Sequence, residues 1–252
     1  HKLVKLPVLE AKPDALVGQL GQQLARLHQI TPTAEARQRL DFLPVPKQTA
    51  KATRIDLYRE YLDQLVEADT PDCLAFEWGL RWLELHMPDT GPITLIHADF
   101  RTGNYMVAPE TGDVTGVLDW EFAAWSDPME DLGWLTAPCW RFGRPDREVG
   151  GVGTREALYA AYNHEAERLG VGHRVDPDRV VYWEIMALIR WGIIARQQGE
   201  RCVASDEHTA EPSLELALTG LIASECAHQM LAHIRRIEGA EMAAPDREGL
   251  GV

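Results

Sequence analysis

The chain of 252 residues carries 39 Asp and Glu against 25 Lys and Arg, which gives a formal net charge of −14. Hydrophobic residues make up 45% and charged residues 25%, a balance typical of a globular rather than a disordered protein. The acidic excess argues against a broad nucleic-acid surface, because phosphate binding needs clustered Lys and Arg. No uncharged apolar stretch reaches the roughly 18 residues of a membrane span, and no secretory signal is recognisable.

The four cysteines, at positions 73, 139, 202 and 226, are widely separated and form no Cys-x-x-Cys pair. This spacing is typical of reduced thiols rather than of a disulfide framework or a zinc knuckle. We therefore expect a cytoplasmic protein without nucleic-acid or membrane partners. The sequence leaves its oligomeric state open.

Apolar residues recur at helical spacing through most of the first 90 residues. They predict helices at 14–30, 54–68 and 72–86, separated by an irregular stretch at 33–53 that contains Pro44 and Pro46. The side chains expected to face inward are Leu16, Leu20, Leu24, Leu27, Leu62, Leu65, Trp78, Trp82 and Leu85.

The pattern changes to short β-like runs between residues 93 and 118. Strands are predicted at 93–97, 105–108 and 114–118, and the turn chemistry of residues 110–113 joins the last two in a hairpin. After them, Asp127 is predicted to cap a helix, with Pro128 in its first position and Glu130 completing a capping box.

Helical periodicity resumes over the C-terminal half. Helices are predicted at 154–169, ended by Gly170, at 176–198, ended by Gly199, and at 213–237, followed by a frayed tail at 239–252. The expected fold class is therefore mainly α with a small β hairpin. The inward side chains of the last helix are predicted to be Leu214, Leu218, Leu221, Ile222, Met230 and Ile234.

One polar motif lies in the β-like region. The loop His97-Ala-Asp-Phe-Arg-Thr-Gly-Asn104 has the H-x-D-x-x-x-x-N spacing of a protein-kinase catalytic loop, and Val117-Leu-Asp-Trp-Glu121 follows it. Phosphoryl transfer spreads negative charge over phosphate oxygens, and Mg²⁺ neutralises that charge through hard oxygen ligands. A carboxylate and an amide on adjacent β segments can hold such an ion, while a second carboxylate faces the acceptor hydroxyl.

These segments resemble the aminoglycoside phosphotransferase and choline kinase superfamily. Loop 97–104 is similar to its His-Gly-Asp-x-x-x-x-Asn loop, segment 117–121 to its Ile-Asp-Trp-Glu metal segment, and residues 126–133 to the helix start that follows. The combination is most similar to the phosphotransferase-like domains that occur alone in bacteria or fused to acyl-CoA dehydrogenases. The resemblance implies a protein-kinase-like fold, in which residues 1–238 form the large C-terminal lobe.

The resemblance also implies a role for each polar residue. Asp99 corresponds to the catalytic base, Asn104 and Asp119 to the ligands of Mg²⁺ at the bound ATP, and His97 and Asp131 to residues that support the loop. The candidates for lining the substrate pocket are Arg101, Glu121, Trp134 and Trp140.

Two positions depart from the family pattern. Ala98 replaces the usual Gly, a change that is harmless only where φ is negative. Arg101 stands where many aminoglycoside enzymes carry His, which makes an aminoglycoside a less favoured acceptor. Elsewhere, Arg190 interrupts an apolar helix and needs an anionic partner, either a buried carboxylate, which is the favoured assignment, or a phosphate of the substrate.

The ATP-clamping half of such a kinase is not recognisable in the chain. No G-x-G-x-x-G sequence and no strand-borne Lys precede residue 14, and Lys2 and Lys5 lie in a short stretch that resembles an interlobe hinge. We therefore expect the small lobe to lie outside this chain.

The sequence thus predicts an ATP- and Mg²⁺-dependent kinase that phosphorylates a hydroxyl of a small molecule. The relation to acyl-CoA-dehydrogenase-associated domains implies a hydroxyacyl-type acceptor. A non-catalytic, pseudokinase-type binding protein is the alternative, because the chain keeps the Asp, Asn and Asp set but lacks a small lobe. A third hypothesis, metal-dependent hydrolysis, requires further His or carboxylate ligands near His97.

Overall fold

The computed structural model describes residues 13–67, 74–204 and 210–243. Within these ranges the chain is mainly helical, as predicted, with four short strands. The helices are α1 (Pro13–His28), α2 (Ala34–Arg39), α3 (Ala50–Glu67), α4 (Leu74–Leu85), α5 (Met129–Thr136), α6 (Arg155–Leu169), α7 (Pro177–Ala204) and α8 (Ala210–Ala243). The strands are β1 (Thr94–Ile96), β2 (Tyr105–Val107), β3 (Val114–Val117) and β4 (Ala124–Ser126).

The strands form two antiparallel pairs. The predicted hairpin is confirmed, since β2 pairs with β3 in a register that sets Tyr105 opposite Val117. A second pair, β1 with β4, sets Thr94 opposite Ser126 and was not predicted. The residues of β4, Ala, Trp and Ser, include no β-branched side chain, so this segment lacked the strand signal that marked β1.

The core lies between the helices. The long helix α7 packs against α8 and α5, and α1 packs against α6. These contacts bury large side chains completely, because each helix turns a continuous apolar stripe inward. The largest of these side chains include Trp183, Tyr162, Phe76, Met129 and Leu132.

Several predicted helix boundaries were wrong. Residues 33–53 are not irregular throughout: α2 begins after Thr33, whose side chain accepts a hydrogen bond from Ala36 N, and α3 begins at Ala50. Helix α7 continues through Gly199 to Ala204. One glycine inside a helix costs only about 1 kcal/mol, which the packing of α7 against its neighbours outweighs.

Four predicted inward side chains are instead exposed. They lie at the margins of apolar stripes that are narrower than the periodicity suggested, so each faces solvent: Trp78, Leu85, Leu218 and Leu221. The side chain of Leu214 lies outside the described residues.

The last helix also extends beyond its predicted end. Helix α8 runs through Gly239 to Ala243, into the segment 239–252 predicted to fray, and residues 244–252 lie outside the described ranges. Over the part of the chain that the structure describes, no helix combines the length and apolar character needed to cross a membrane.

The contact between α1 and α6 yields a matched pair of predictions. A Cβ at Gly21 would lie 2.7 Å from Leu158 O, so Gly21→Ala forces the two helices apart and lowers the free energy of unfolding by about 1–3 kcal/mol. Three residues earlier, a Cβ at Gly18 would meet only Ala161 Cβ at 3.7 Å. Gly18→Ala therefore raises the free energy of unfolding by about 0.5–1 kcal/mol through helix propensity. Urea unfolding of both variants measures the two effects, and equal changes would contradict this packing.

Candidate active site

Loop 97–104 connects β1 to β2 and opens with a strained residue. Ala98 has a φ of +60°, in the left-handed region, so the condition under which this Ala is harmless is not met. A left-handed Ala costs roughly 1–2 kcal/mol, which explains why glycine suits this position. The surrounding contacts must therefore hold the loop in this conformation.

Asp131 on α5 provides the strongest of these contacts. Its buried carboxylate accepts hydrogen bonds from the backbone N–H groups of His97 (2.8 Å) and Ala98 (2.7 Å). His28 Nε2, at the end of α1, lies 3.1 Å from the same carboxylate. Burial alone would raise the pKa of Asp131, but the hydrogen bond and charge of His28 and the contacts of His97 outweigh it and lower that pKa.

The His97 ring is committed to backbone partners. Its Nε2 donates to Leu118 O at 2.8 Å, and its Nδ1 accepts from Asp99 N at 3.2 Å. This arrangement ties the loop to the end of β3 and leaves neither ring nitrogen free to ligate a metal. In the described parts of the chain, moreover, no three His, Cys, Asp or Glu side chains are grouped to hold a metal ion, so the hydrolysis hypothesis lacks its further ligands.

Asp99 is held from three sides. Trp134 Nε1 on α5 and Arg101 Nε donate to its Oδ1 at 2.8 and 3.2 Å, and Asn104 Nδ2 donates to its Oδ2 at 2.5 Å. These donors fix the orientation of the carboxylate, and one edge of Asp99 still faces an adjoining cavity. An alanine here would leave the indole N–H of Trp134 without its acceptor, which costs about 1–3 kcal/mol.

Asn104 begins the β2–β3 hairpin and Asp119 follows it, so the backbone of the hairpin links the two residues. Leu118 N donates to Asn104 O at 2.8 Å, so Asp119 follows directly after the residue that faces Asn104. The Asn104 amide nitrogen faces Asp99, which turns its Oδ1 the other way. Asp119 is exposed and has a φ of +67°, a conformation that Asp tolerates better than most residues. One carboxylate and one amide oxygen form a donor set that suits Mg²⁺.

A cavity of about 460 Å³ opens beside these groups. Its wall combines acidic, basic and aromatic side chains from the loop, segment 117–121, α3, α5 and α7. Asp99, Asp119 and the candidate pocket residues Arg101, Glu121 and Trp134 all line it. Asn104 contributes through its hydrogen bond to Asp99 rather than as part of the wall.

Trp140, the remaining candidate pocket residue, lies behind the cavity wall. It is buried beneath Arg101, whose guanidinium carbon is 4.8 Å from the ring centre, and it packs against Trp134 and Trp191. Its contacts place it among the residues that support the wall, because Arg101 covers the face that would meet a ligand.

The start of α5 is built differently from the predicted capping box. Asp127 Oδ1 accepts from Met129 N at 3.0 Å, but its carboxylate also pairs with Arg179. Glu130 does not return to the helix start: it accepts a hydrogen bond from Ser126 (2.5 Å) and pairs with Arg54 on α3 at 2.8 Å. These ion pairs fix α5, and with it Asp131 and Trp134, against α3 and α7.

Arg54, Tyr58 and Arg190 are among the cavity residues that were not predicted as part of the site. Arg54 and Tyr58 occupy successive turns of α3, and nothing in their sequence context distinguished them. Arg190 was noted for its apolar surroundings, but the described residues offer it no carboxylate partner, and the alternative, a phosphate of the substrate, stays a prediction. Its guanidinium donates to Ala98 O and packs against aromatic rings.

The comparison with protein families assigns the chain to a class. Residues 4–169, more than half of the chain, match the model of the Phosphotransferase enzyme family, and the chain belongs to this family. The match spans the loop 97–104, segment 117–121 and Asp131.

One curated relative is acyl-CoA dehydrogenase family member 10 of Mus musculus. It is 31% identical over 137 residues, which cover 52% of this chain and 12% of that protein. The chain therefore corresponds to a small part of this relative's length.

Solved structures show the same fold. A putative aminoglycoside phosphotransferase from Ralstonia eutropha JMP134 matches with a TM-score of 0.64 and 18% identity, over 87% of this chain and 65% of that one. Choline kinase from Cryptosporidium parvum Iowa II matches with a TM-score of 0.58 and 14% identity, over 91% of this chain and 67% of that one. The predicted kinase-like fold is confirmed.

The role of Asp131 can be tested through pH. Because its pKa is lowered in the fold, its stabilisation is complete above the pKa of the unfolded carboxyl, 3.8, and is lost as pH falls through the folded value. Asp131→Asn should lower the free energy of unfolding by about 3 kcal/mol at pH 7. The deficit should shrink as the pH is lowered below about 4.

Urea unfolding at pH 7 and at pH 3 measures this deficit. Asp63→Asn, at an exposed site on α3, is the matched control and should change stability by no more than about 0.5 kcal/mol. A deficit of the same size at both pH values would contradict an ionised anchor at position 131.

Proposed function

We propose that the protein is an ATP- and Mg²⁺-dependent kinase that transfers a phosphoryl group to a hydroxyl of a small molecule. Membership of the phosphotransferase family and the kinase-like fold support this class of reaction. The observation that carries the proposal is the hydrogen-bonded grouping of Asp99, Asn104 and the segment that bears Asp119 beside one cavity.

In this proposal Asp99 is the general base. Its carboxylate is held by Trp134, Arg101 and Asn104 and has an edge on the cavity, where an acceptor hydroxyl would approach it. Asp99 orients that hydroxyl and takes its proton as the new O–P bond forms. Holding the base in a fixed position lowers the entropy lost on reaching the transition state.

Asn104 and Asp119 are proposed to hold the metal. Their amide and carboxylate oxygens match the preference of Mg²⁺, which takes one or two protein carboxylates and completes its shell with phosphates and water. Bound there, Mg²⁺ would neutralise charge on the phosphate oxygens. His97 and Asp131 act as positioning residues, because they hold the backbone that carries Asp99 rather than facing the cavity.

We further propose that residues 1–238 form the large lobe of this kinase and that the protein acts in the cytoplasm. Cys139 and Cys226, whose side chains the structure describes, are free thiols, which supports the second point. Activity experiments should use the full-length gene product, so that any small lobe is included.

Replacement of the base tests the proposal directly. Asp99→Asn keeps the shape and an acceptor oxygen but cannot take a proton, so we expect turnover to fall by at least about 100-fold. ATP consumption by the full-length protein, with a pool of hydroxylated metabolites, measures turnover. Asn retains an oxygen for Trp134 but places an NH2 donor opposite Asn104 Nδ2, so turnover is compared at a temperature well below the melting temperature of the variant.

The control for this experiment is Asp63→Asn, which removes an exposed carboxylate far from the loop in sequence and should leave turnover unchanged. If wild-type protein consumes no ATP with any pool, the pseudokinase-type binding protein is favoured. If Asp99→Asn retains wild-type turnover, the base has been assigned wrongly.

The metal assignment gives a separate prediction. Asp119→Asn keeps a side chain that tolerates a positive φ but removes the charge, so the fold should remain intact. We expect the Mg²⁺ concentration for half-maximal turnover to rise at least about tenfold, because one charged ligand is lost. A Mg²⁺ titration of turnover decides this, and an unchanged midpoint would remove Asp119 from the metal site.

A further inference from the structure

The inner wall of the cavity carries two arginines that the proposed chemistry does not use. Arg54 and Tyr58 lie four residues apart on α3, and Arg190 comes from α7. All three line the cavity that Asp99 faces. Arg101, also in the wall, differs because its guanidinium is committed to Asp99 and to Thr102 O.

Arg190 is a buried cation to which the described residues offer no carboxylate partner. It is 7% exposed, donates to Ala98 O, and lies 4.3 Å from the ring centre of Trp134 and 5.1 Å from that of Phe122. Across the described stretches of the chain, it forms no ion pair. A backbone carbonyl and aromatic faces offset only part of the cost of burying this charge.

Arg54 adds an unsatisfied donor to the same wall. Its Nε pairs with Glu130 at 2.8 Å, but its Nη2 is buried and finds no hydrogen-bond acceptor among the described residues. A buried donor without a partner costs about 1–3 kcal/mol, and a ligand that supplied an acceptor would recover that cost.

The phenol of Tyr58 interacts electrostatically with the guanidinium groups of Arg190 and Arg54. Burial raises the pKa of its phenol, while the charges of Arg190 and Arg54 oppose that rise. Two cations and a hydroxyl thus line the same cavity, and we call Arg54, Tyr58 and Arg190 the anion wall.

Trp134 connects the anion wall to the base. Its indole N–H donates to Asp99 Oδ1 at 2.8 Å, and the face of the same indole lies beneath Arg190. Arg190 also binds the carbonyl of Ala98, the residue directly before Asp99. The base and the guanidinium thus contact the same indole, Asp99 at its edge and Arg190 on its face.

We propose that the anion wall binds a negatively charged group, a carboxylate or a phosphate, of the acceptor whose hydroxyl faces Asp99. The identification of this ligand as the acceptor rests on the proposed function; the anion site itself does not. Guanidinium groups suit such a ligand because they donate paired hydrogen bonds to carboxylate and phosphate oxygens. The aromatic residues Tyr61, Phe122 and Trp191 in the same wall suit an acceptor with an apolar body.

A pair of probes that differ only in charge tests the anion wall without turnover. Phenylacetate and phenylacetamide have the same aromatic body and nearly the same shape. We expect isothermal titration of the full-length protein to show at least tenfold tighter binding of phenylacetate. Equal affinities, or no binding of either probe, would overturn the proposal.

Substitutions of the arginines show which of them produces the preference for phenylacetate over phenylacetamide. Arg190→Gln retains a donor for Ala98 O but loses the charge, and it should abolish the preference for phenylacetate, whereas Arg190→Lys should keep part of it. Arg54→Gln should weaken the preference as well, provided that its melting curve remains cooperative. Arg235→Gln, at an exposed site on α8, is the matched control and should behave as wild type. A preference that persists in Arg190→Gln would overturn the assignment.

A competition experiment separates the two sources of such an anion. MgATP, at a concentration where its own binding is observed, should leave the Kd of phenylacetate unchanged if the wall serves the acceptor. An increase of tenfold or more would assign the wall to the phosphates of the donor and overturn the acceptor proposal. Loss of turnover in Asp99→Asn is a separate measurement, so the kinase proposal and the anion wall can fail independently.

Discussion

The buried carboxylate of Asp131 is the constraint on which the site depends. It accepts hydrogen bonds from two consecutive backbone N–H groups of the loop and contacts a ring nitrogen of His28. These partners offset the free energy of burying the charge, and the same bonds hold the loop in position. These bonds, together with the one from Arg190 to Ala98 O, offset the cost of the left-handed conformation of Ala98. The loop holds its shape because α5 holds it.

Helix α5 serves both the backbone and the side chain of the loop. Asp131 and Trp134 are three residues apart and therefore lie on one face of the helix, where the first binds the backbone and the second donates to Asp99. The helix is in turn fixed by ion pairs from Asp127 to Arg179 and from Glu130 to Arg54. Stability and site geometry are thus supplied by the same short helix.

Much of this arrangement could be predicted from the sequence. The spacing from His97 to Asn104, followed by a hairpin and Asp119, predicted which polar groups belong to the site. Residues that are close in sequence and lie on adjacent strands have few alternative arrangements, so such a motif is informative. Long-range partners are harder to assign. The segment that ends at His28 also resembles the family's sequence, but it precedes the loop by about 70 residues, so no spacing pairs it with Asp131. Arg54 carries no feature that marks it as a cavity residue.

The incorrect predictions share one physical cause, because each depended on contacts that only the tertiary structure sets. The expected partner of Arg190 was a carboxylate, but aromatic faces and one carbonyl occupy its surroundings, and side-chain stacking leaves no spacing rule in the sequence. Gly199 did not end its helix because packing outweighed propensity. Trp78 and Leu85 had the right period, yet the neighbours needed to cover them are set by tertiary structure alone.

The pairing of β1 with β4 has a consequence for how the molecule assembles. It brings the two ends of residues 94–126 together, so the loop and the hairpin lie within one closed segment, which α5 follows directly. Closing a loop of this length costs little chain entropy, and contacts this close in sequence form early during folding. The residues around Asp99 are therefore expected to organise as one cooperative unit, onto which the longer helices condense afterwards.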